Sequence, residues 1–269
     1  HHPRSVEATT KYFLAQATAA ATILFASMTN AWMMGEWNIT HMSHPVSTIM
    51  ITTALAMKVG LAPMHFWMPP VLQGLDLTTG LIMATWQKLA PFALLIQMAP
   101  TTHPTLLTAL GLLSTLVGGW GGLNQTQLRK MLAYSSIAHL GWMIIVIQFM
   151  PQLTILTLGT YIIMTSAAFL TFKLLMSTKI STLALTWSKT PVITTTMALV
   201  LLSLGGLPPL TGFMPKWLIL QELTKQGLPL IATMIAISAL LSLYFYLRLC
   251  YAMTLTIAPN TNNSTTPWR

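Results

Sequence analysis

Between Pro104 and Leu123 the chain runs for 20 residues without a charged side chain, and Leu230 to Leu247 repeats the pattern over 18. A helix needs roughly 20 apolar residues to cross the ~30 Å hydrocarbon core of a bilayer, so runs of this length narrow the possible folds more than any other feature. They lack the alternation of polar and apolar residues that barrel strands require. A soluble alternative fails on charge, since only 6% of the 269 residues are charged and 54% are apolar, whereas soluble domains carry about 25% charged residues. The mean hydropathy of +0.67 agrees. The predicted fold class is all-α, a polytopic transmembrane helical bundle whose solvent is the phospholipid bilayer.

Pro, Asn and charged clusters divide the apolar runs into about eight spans, near residues 8–29, 46–67, 78–98, 104–123, 127–149, 152–176, 192–223 and 228–257, in a single transmembrane domain (residues 1–269). With eight spans, Arg4, Lys11, Arg129, Lys130, Lys173, Lys179, Lys189 and Arg269 collect on one face together with both chain ends. The opposite face keeps essentially Lys225. The positive-inside rule assigns the basic face to the cytoplasm or matrix.

The formal charge of +9 comes from Lys and Arg scattered singly or in pairs, so no basic face for nucleic acid is expected. A lone Cys250 excludes an intrachain disulfide and any thiolate-held cluster or zinc site within this chain. The glycine run Gly118-Gly119-Trp120-Gly121-Gly122 is not followed by the Lys-Ser or Lys-Thr of a phosphate loop. Any redox chemistry therefore belongs to a partner. The chain opens at His1-His2-Pro3 without methionine and without a secretory or transit signal, and is expected to be a partial sequence.

Three spans carry a lysine far from either end: Lys58 in Ala-Met-Lys-Val-Gly-Leu-Ala-Pro, Lys88 in Thr-Trp-Gln-Lys-Leu-Ala-Pro, and Lys216 in Gly-Phe-Met-Pro-Lys-Trp. On insertion scales a lysine at a helix centre costs about 2.5–3.5 kcal/mol, and such residues normally line an internal hydrated path. Each sits beside helix breakers: Gly60 and Pro63 after Lys58, Pro91 after Lys88, and Pro208, Pro209, Gly212 and Pro215 before Lys216. Broken helices with ionisable residues at the break recur in ion transporters. Low dielectric disfavours an ammonium, which makes a lysine held there able to exchange its proton. His139 is placed among hydroxyls in the fifth span, as a relay member or a satisfied core histidine. His65 is expected to cap or sit at an interface, and Lys11, Lys173 and Arg248 to snorkel. The acidic residues Glu7, Glu36, Asp76 and Glu222 all fall near span ends, so a carboxylate partner for Lys58 is expected outside this chain.

Three stretches carry a resemblance: Pro-Arg-Ser-Val-Glu-Ala-Thr-Thr-Lys-Tyr-Phe-Leu from Pro3, Gly-Gly-Leu-Asn-Gln-Thr-Gln-Leu-Arg-Lys-Met-Leu-Ala-Tyr-Ser-Ser-Ile-Ala-His-Leu-Gly-Trp from Gly121, and Leu-Gly-Gly-Leu-Pro-Pro-Leu-Thr-Gly-Phe-Met-Pro-Lys-Trp from Leu204. Along its whole length the chain resembles the mitochondrially encoded subunit 2 family of NADH:ubiquinone oxidoreductase, respiratory complex I, in its vertebrate form. The resemblance implies an antiporter-like fold of inverted repeats, each with one interrupted helix, in a multi-pass protein of the mitochondrial inner membrane. It implies that Lys58 is the central lysine of the first interrupted helix and Lys88 the bridging lysine of the next. Lys216 becomes the lysine of the second interrupted helix, and His139 a member of the central hydrophilic axis. It places the glutamate partner of Lys58 upstream of His1, with about two leading spans and one trailing span outside the sequence. The expected partners are other membrane-arm subunits of the complex, not further copies of this chain. No cofactor is expected on this chain, since NADH, FMN, iron–sulfur clusters and ubiquinone are handled by other subunits. The alternatives are a stand-alone cation/proton antiporter of the same fold and a scaffold whose polar residues only hold helices together.

Overall fold

The computed structural model describes residues 3–255, so that Arg269 and the end of the last expected span lie outside the described residues. The described chain is a bundle of α-helices: α1 (Pro3–Met34), α2 (Pro45–Val59), α3 (Met68–Gly74), α4 (Leu77–Ala84), α5 (Trp86–Met98), α6 (Pro104–Gly122), α7 (Leu128–Val146), α8 (Pro151–Leu174), α9 (Ile180–Ala184), α10 (Pro191–Gly205), α11 (Phe213–Lys225) and α12 (Pro229–Thr254). Prolines open α2, α6, α8, α10 and α12, where a missing N–H leaves no helical bond unmade. Five stretches, Pro3–Met34, Leu77–Thr101, Pro104–Gly122, Pro151–Leu174 and Pro229–Thr254, are long and apolar enough to cross a membrane, and α2 and α10 are shorter apolar helices.

Side-chain size fixes how the helices meet. α1 buries Ala8, Ala15, Ala19, Ala26 and Asn30, a stripe of small residues on one face, against α2 and α3. Its other face leaves Phe13, Leu24, Phe25 and Trp32 exposed. The polar member of the stripe is satisfied: Asn30 donates to Glu36 O at 3.1 Å and accepts from His44 N at 3.3 Å, closing the α1–α2 connection. α6 and α7 approach still more closely. A Cβ at Gly118 would lie 2.5 Å from Ala138 N, one at Gly141 2.7 Å from Gly111 O, and one at Gly111 2.2 Å from Ile145 Cγ1. Without a hydrophobic drive between helices in lipid, this backbone proximity supplies the dispersion contact. α7 is the axial element, buried from Leu128 through Ile147 except at a few positions.

Two helix breaks share one local design. Gly60 (φ +89°) ends α2 and Gly206 (φ +80°) ends α10, and each is followed by Leu and an X-Pro pair, Leu61-Ala62-Pro63 and Leu207-Pro208-Pro209. In both, the leucine N–H reaches back to the carbonyl five residues before it, Leu61 to Ala56 at 2.9 Å and Leu207 to Leu202 at 3.3 Å. The left-handed glycine is what permits this turn. Neighbouring hydroxyls hold the irregular backbone in protein: Ser114 of α6 accepts from Ala62 N at 3.1 Å, and Ser203 accepts from Gly212 N at 3.3 Å. A third break separates α4 from α5 at Thr85 (φ −117°, ψ −69°). The helix does not end at Pro91, which stays inside α5. A proline ring crowds the carbonyl four residues back, here Gln87, so the distortion falls upstream of the ring.

Overpacking the α6–α7 contact has no room to relax, because the atoms met are backbone. Gly118→Val and Gly141→Val are each expected to destabilise the subunit by about 1–3 kcal/mol, or to block its assembly. Gly159→Ala, which meets nothing within 4 Å, should be silent; the melting temperature and yield of the assembled complex on native gels decide between these outcomes. Gly206→Ala should cost about 1–2 kcal/mol for its left-handed backbone. It should cost more than Gly227→Ala (φ +72°, open space), because a Cβ at Gly206 would sit 2.9 Å from Lys216 Nζ. Equal melting shifts for the two variants would remove the link between Gly206 and Lys216.

Candidate functional site

All three mid-span lysines lie within about one turn of a helix interruption: Lys58 in the last turn of α2, Lys88 in the first turn of α5, Lys216 in the first turn of α11. For Lys216 the reason is local. A break frees carbonyls that an intact helix would use, and an ammonium with three donors is the side chain best able to take them. Lys216 does so directly, donating to Gly205 O at 2.9 Å and reaching Leu204 O at 3.5 Å, at the carbonyl end of α10, where the helix dipole favours a cation. The Trp142 ring centroid lies 6.0 Å from its Nζ.

Lys88 is the most deeply buried of the three, at 2% exposure. Its amine donates to Ser136 Oγ of α7 and, at 2.9 Å, to Tyr161 Oη of α8, and stands 4.7 Å above the centroid of the Tyr161 ring. Tyr161, only 1% exposed, directs its own hydroxyl proton to Ala84 O at 3.2 Å. Lys58 is half-buried and shares with Lys88 a cavity of about 160 Å³, whose other polar walls are Tyr12, Gln16 and Gln87. Among the described residues, no Asp or Glu lines that cavity. Gln16 caps the Lys58 carbonyl at 3.4 Å and Trp67 Nε1 caps the Met57 carbonyl at 3.0 Å, so in the first break neutral donors hold the freed carbonyls.

His139 and Lys216 line a second cavity, with Tyr161, Thr157 and Thr160 in its wall. Its volume of about 20 Å³ is close to that of one water molecule. His139 Nδ1 lies 2.7 Å from Ser135 O, and since a carbonyl only accepts, Nδ1 carries the proton in that contact. Nε2 is buried without a formed hydrogen bond among the described residues. The His139 and Tyr161 ring centroids are 5.6 Å apart.

The four residues singled out from sequence thus fall on two cavities, Lys58 and Lys88 on one, His139 and Lys216 on another, with Tyr161 lining the second and bonded to Lys88 of the first; together they are called the file. Sequence reasoning missed Tyr161 and Ser136. The available signal was weak, a phenol at the centre of the hydrophobic α8 and adjacent hydroxyls Ser135-Ser136 on α7. His65 is 4% exposed, its ring against Phe66 at 4.4 Å and outside the file. Lys11 and Lys173 are exposed, Lys11 in an ion pair with Glu7 at 2.5 Å. Arg248 is tied to the end of α6 through Leu123 O at 2.7 Å.

Comparison with known proteins places the chain in a family. Residues 1–242 match the model of the NADH:quinone oxidoreductase/Mrp antiporter transmembrane family, and residues 243–269 that of the NADH dehydrogenase subunit 2 C-terminus. The chain is 78% identical over its full length to NADH-ubiquinone oxidoreductase chain 2 of Carassius auratus and 65% identical to that of Latimeria chalumnae, and covers 77% of each of those proteins. It superposes with a TM-score of 0.84 and 32% identity on a chain of respiratory complex I from Thermus thermophilus, over 94% of this chain and 60% of that one. A chain of the Mrp complex from Dietzia shares the fold with a TM-score of 0.83 at 17% identity, over 95% of this chain and 52% of that one. With a family model spanning residues 1–242 and relatives this similar, the chain belongs to the NADH-ubiquinone oxidoreductase chain 2 family, within the NADH:quinone oxidoreductase/Mrp antiporter membrane proteins.

Proposed function

We propose that this chain is a core proton-translocating subunit of the membrane arm of NADH:ubiquinone oxidoreductase, in the mitochondrial inner membrane. It couples electron transfer from NADH to ubiquinone, carried out with FMN and iron–sulfur clusters in other subunits, to proton movement from matrix to intermembrane space. The observation that carries this reading is the file of Lys58, Lys88, His139 and Lys216 along two cavities, with Tyr161 bonded to Lys88 and lining the cavity of His139 and Lys216. Hydroxyls and single waters in such cavities can carry protons between groups that donate and accept them.

Each residue has a role within that file. Lys58, half-buried at a break, is the switchable site, modulated by a carboxylate outside this chain. Lys88 links it to the centre of the bundle through Ser136 and Tyr161. His139, with Nδ1 engaged and Nε2 without a formed bond among the described residues, is the axial relay. Lys216, held by the α10 carbonyls, is the donor on the exit side. Relatives 65–78% identical are named as subunits of the oxidoreductase, whereas the Mrp chain shares only the fold at 17%, which favours this reading over a stand-alone cation/proton antiporter.

Lys88→Met in the assembled complex should lower the protons moved per NADH oxidised, or slow NADH oxidation and pumping together, with assembly unchanged. Normal turnover and normal coupling in that variant would remove Lys88 from the path. An antiporter, by contrast, would exchange protons for sodium or potassium after reconstitution without redox partners. The complex should pump at the same ratio when choline replaces both ions, and a loss of pumping in choline would favour the antiporter.

A further inference from the structure

Tyr161 bonds both the Lys88 amine and the carbonyl that the Lys88 backbone N–H would use in an unbroken helix. In an unbroken helix the carbonyl of Ala84 would accept from the backbone N–H of Lys88. At the α4–α5 break that N–H turns instead to Thr85 O at 3.2 Å. The Tyr161 hydroxyl substitutes for it, donating to Ala84 O at 3.2 Å, while its oxygen accepts from Lys88 Nζ at 2.9 Å. Thr85 closes its own side of the break by donating from Oγ1 to Leu81 O at 2.8 Å. The phenol ring also walls the cavity of His139 and Lys216.

We propose that Tyr161 is a positioning residue that ties the charge on Lys88 to the geometry of the α4–α5 break, resting on the proton-transfer role assigned to Lys88 above. A hydroxyl has one proton to place. An ammonium only donates, so while Lys88 is charged Oη must accept from it and the hydroxyl proton is directed at Ala84. When the ammonium loses one proton to a base in an adjoining cavity, a neutral amine with two N–H groups and one lone pair remains. The Tyr161 O–H then has a second acceptor, Nζ, and turning to it leaves Ala84 O without a donor. No covalent bond of Tyr161 breaks; only its C–O bond rotates. A buried carbonyl without a donor is costly, and the Lys88 backbone N–H is the group placed to repair it, by restoring the helical bond across Thr85. Discharge of Lys88 therefore favours straightening of the helix that carries it, and loosens its amine from Tyr161, whose ring walls the His139 cavity. The titratable groups facing this point are Lys58 through the first cavity and His139 and Lys216 through the second, with Tyr246 also nearby.

Hydrogen–deuterium exchange over residues 81–91 of the assembled complex tests the coupling. Wild type, Lys88→Arg and Lys88→Met are compared, each with and without Tyr161→Phe. With Tyr161 present, Lys88→Met should shift exchange in this segment several-fold while Lys88→Arg stays near wild type; in the Tyr161→Phe background all three should exchange alike. A tyrosine that only fills space would shift all three by one common factor, and additivity of that kind overturns the proposal. Ser136→Ala, which removes the other acceptor of the amine but leaves Ala84 capped, should preserve the dependence on Lys88, and its loss there would also overturn it. Should Tyr161→Phe fail to assemble, identical exchange in Lys88→Arg and Lys88→Met would be sufficient to refute it. The pumping role of Lys88 is read separately, from protons per NADH in Lys88→Met, so the two ideas fail on different measurements.

Discussion

A lysine amine inside a bundle surrounded by lipid has no water to donate to, and its three N–H groups must find acceptors in protein. Intact helices offer few, because each carbonyl is already bonded along the helix axis and its second lone pair is open mainly to short side chains of the same helix. The breaks at Gly60, Thr85 and Gly206 release carbonyls at membrane depth, where an unmatched carbonyl is itself costly. At the Gly206 break the two expensive features satisfy one another, Lys216 donating to Gly205 O. At the other two breaks neutral groups cap the carbonyls, Gln16 and Trp67 beside Lys58 and Tyr161 beside Lys88, whose amine is met by serine and tyrosine hydroxyls instead.

The two glycine breaks share a sequence, a left-handed cap and a reversed leucine bond, yet they use their lysines differently. Lys58 precedes its break, and the carbonyls near it are taken by Gln16 and Trp67. Lys216 follows its break and folds back onto Leu204 and Gly205, which stand before Gly206 as Lys58 and Val59 stand before Gly60. The two ammonium groups therefore address corresponding points of two similar turns from opposite sides. At the second break the amine is held by the backbone. At the first it is left facing a cavity, with more freedom to respond to neighbouring charge.

Much of this was legible in the sequence because the relevant rules are local. Apolar run length dictated helices that span lipid, and Gly and Pro beside Lys58 and Lys216 marked two interruptions through their backbone preferences. The third break was misjudged for an equally physical reason: Pro91 distorts the turn before it, while Thr85 carries no strong breaking signal of its own. Ser136 and Tyr161 could not be read at all. Nothing in a one-dimensional pattern says that positions 88, 136 and 161 meet, and a hydroxyl in a hydrophobic span usually bonds its own helix, as Ser135, Thr157 and Thr165 do here. The burial of His65, 4% exposed in the turn after Gly60 although its neighbour Phe66 is 76% exposed, is likewise not legible from the adjacent Pro and Trp.

Partition of the file into two cavities has an electrostatic consequence. Lys58 and Lys88 face one cavity without a carboxylate in its wall among the described residues, so nothing in that wall offsets positive charge placed there. An acidic group approaching from a neighbouring segment would supply that offset. The second cavity is reached through Tyr161, whose ring centroid lies 4.7 Å from the Lys88 amine and 5.6 Å from the His139 ring. Under the proton-transfer roles proposed for these residues, a signal between the cavities needs no large motion, only a change in how Tyr161 bonds Lys88 and Ala84 where the backbone is already broken.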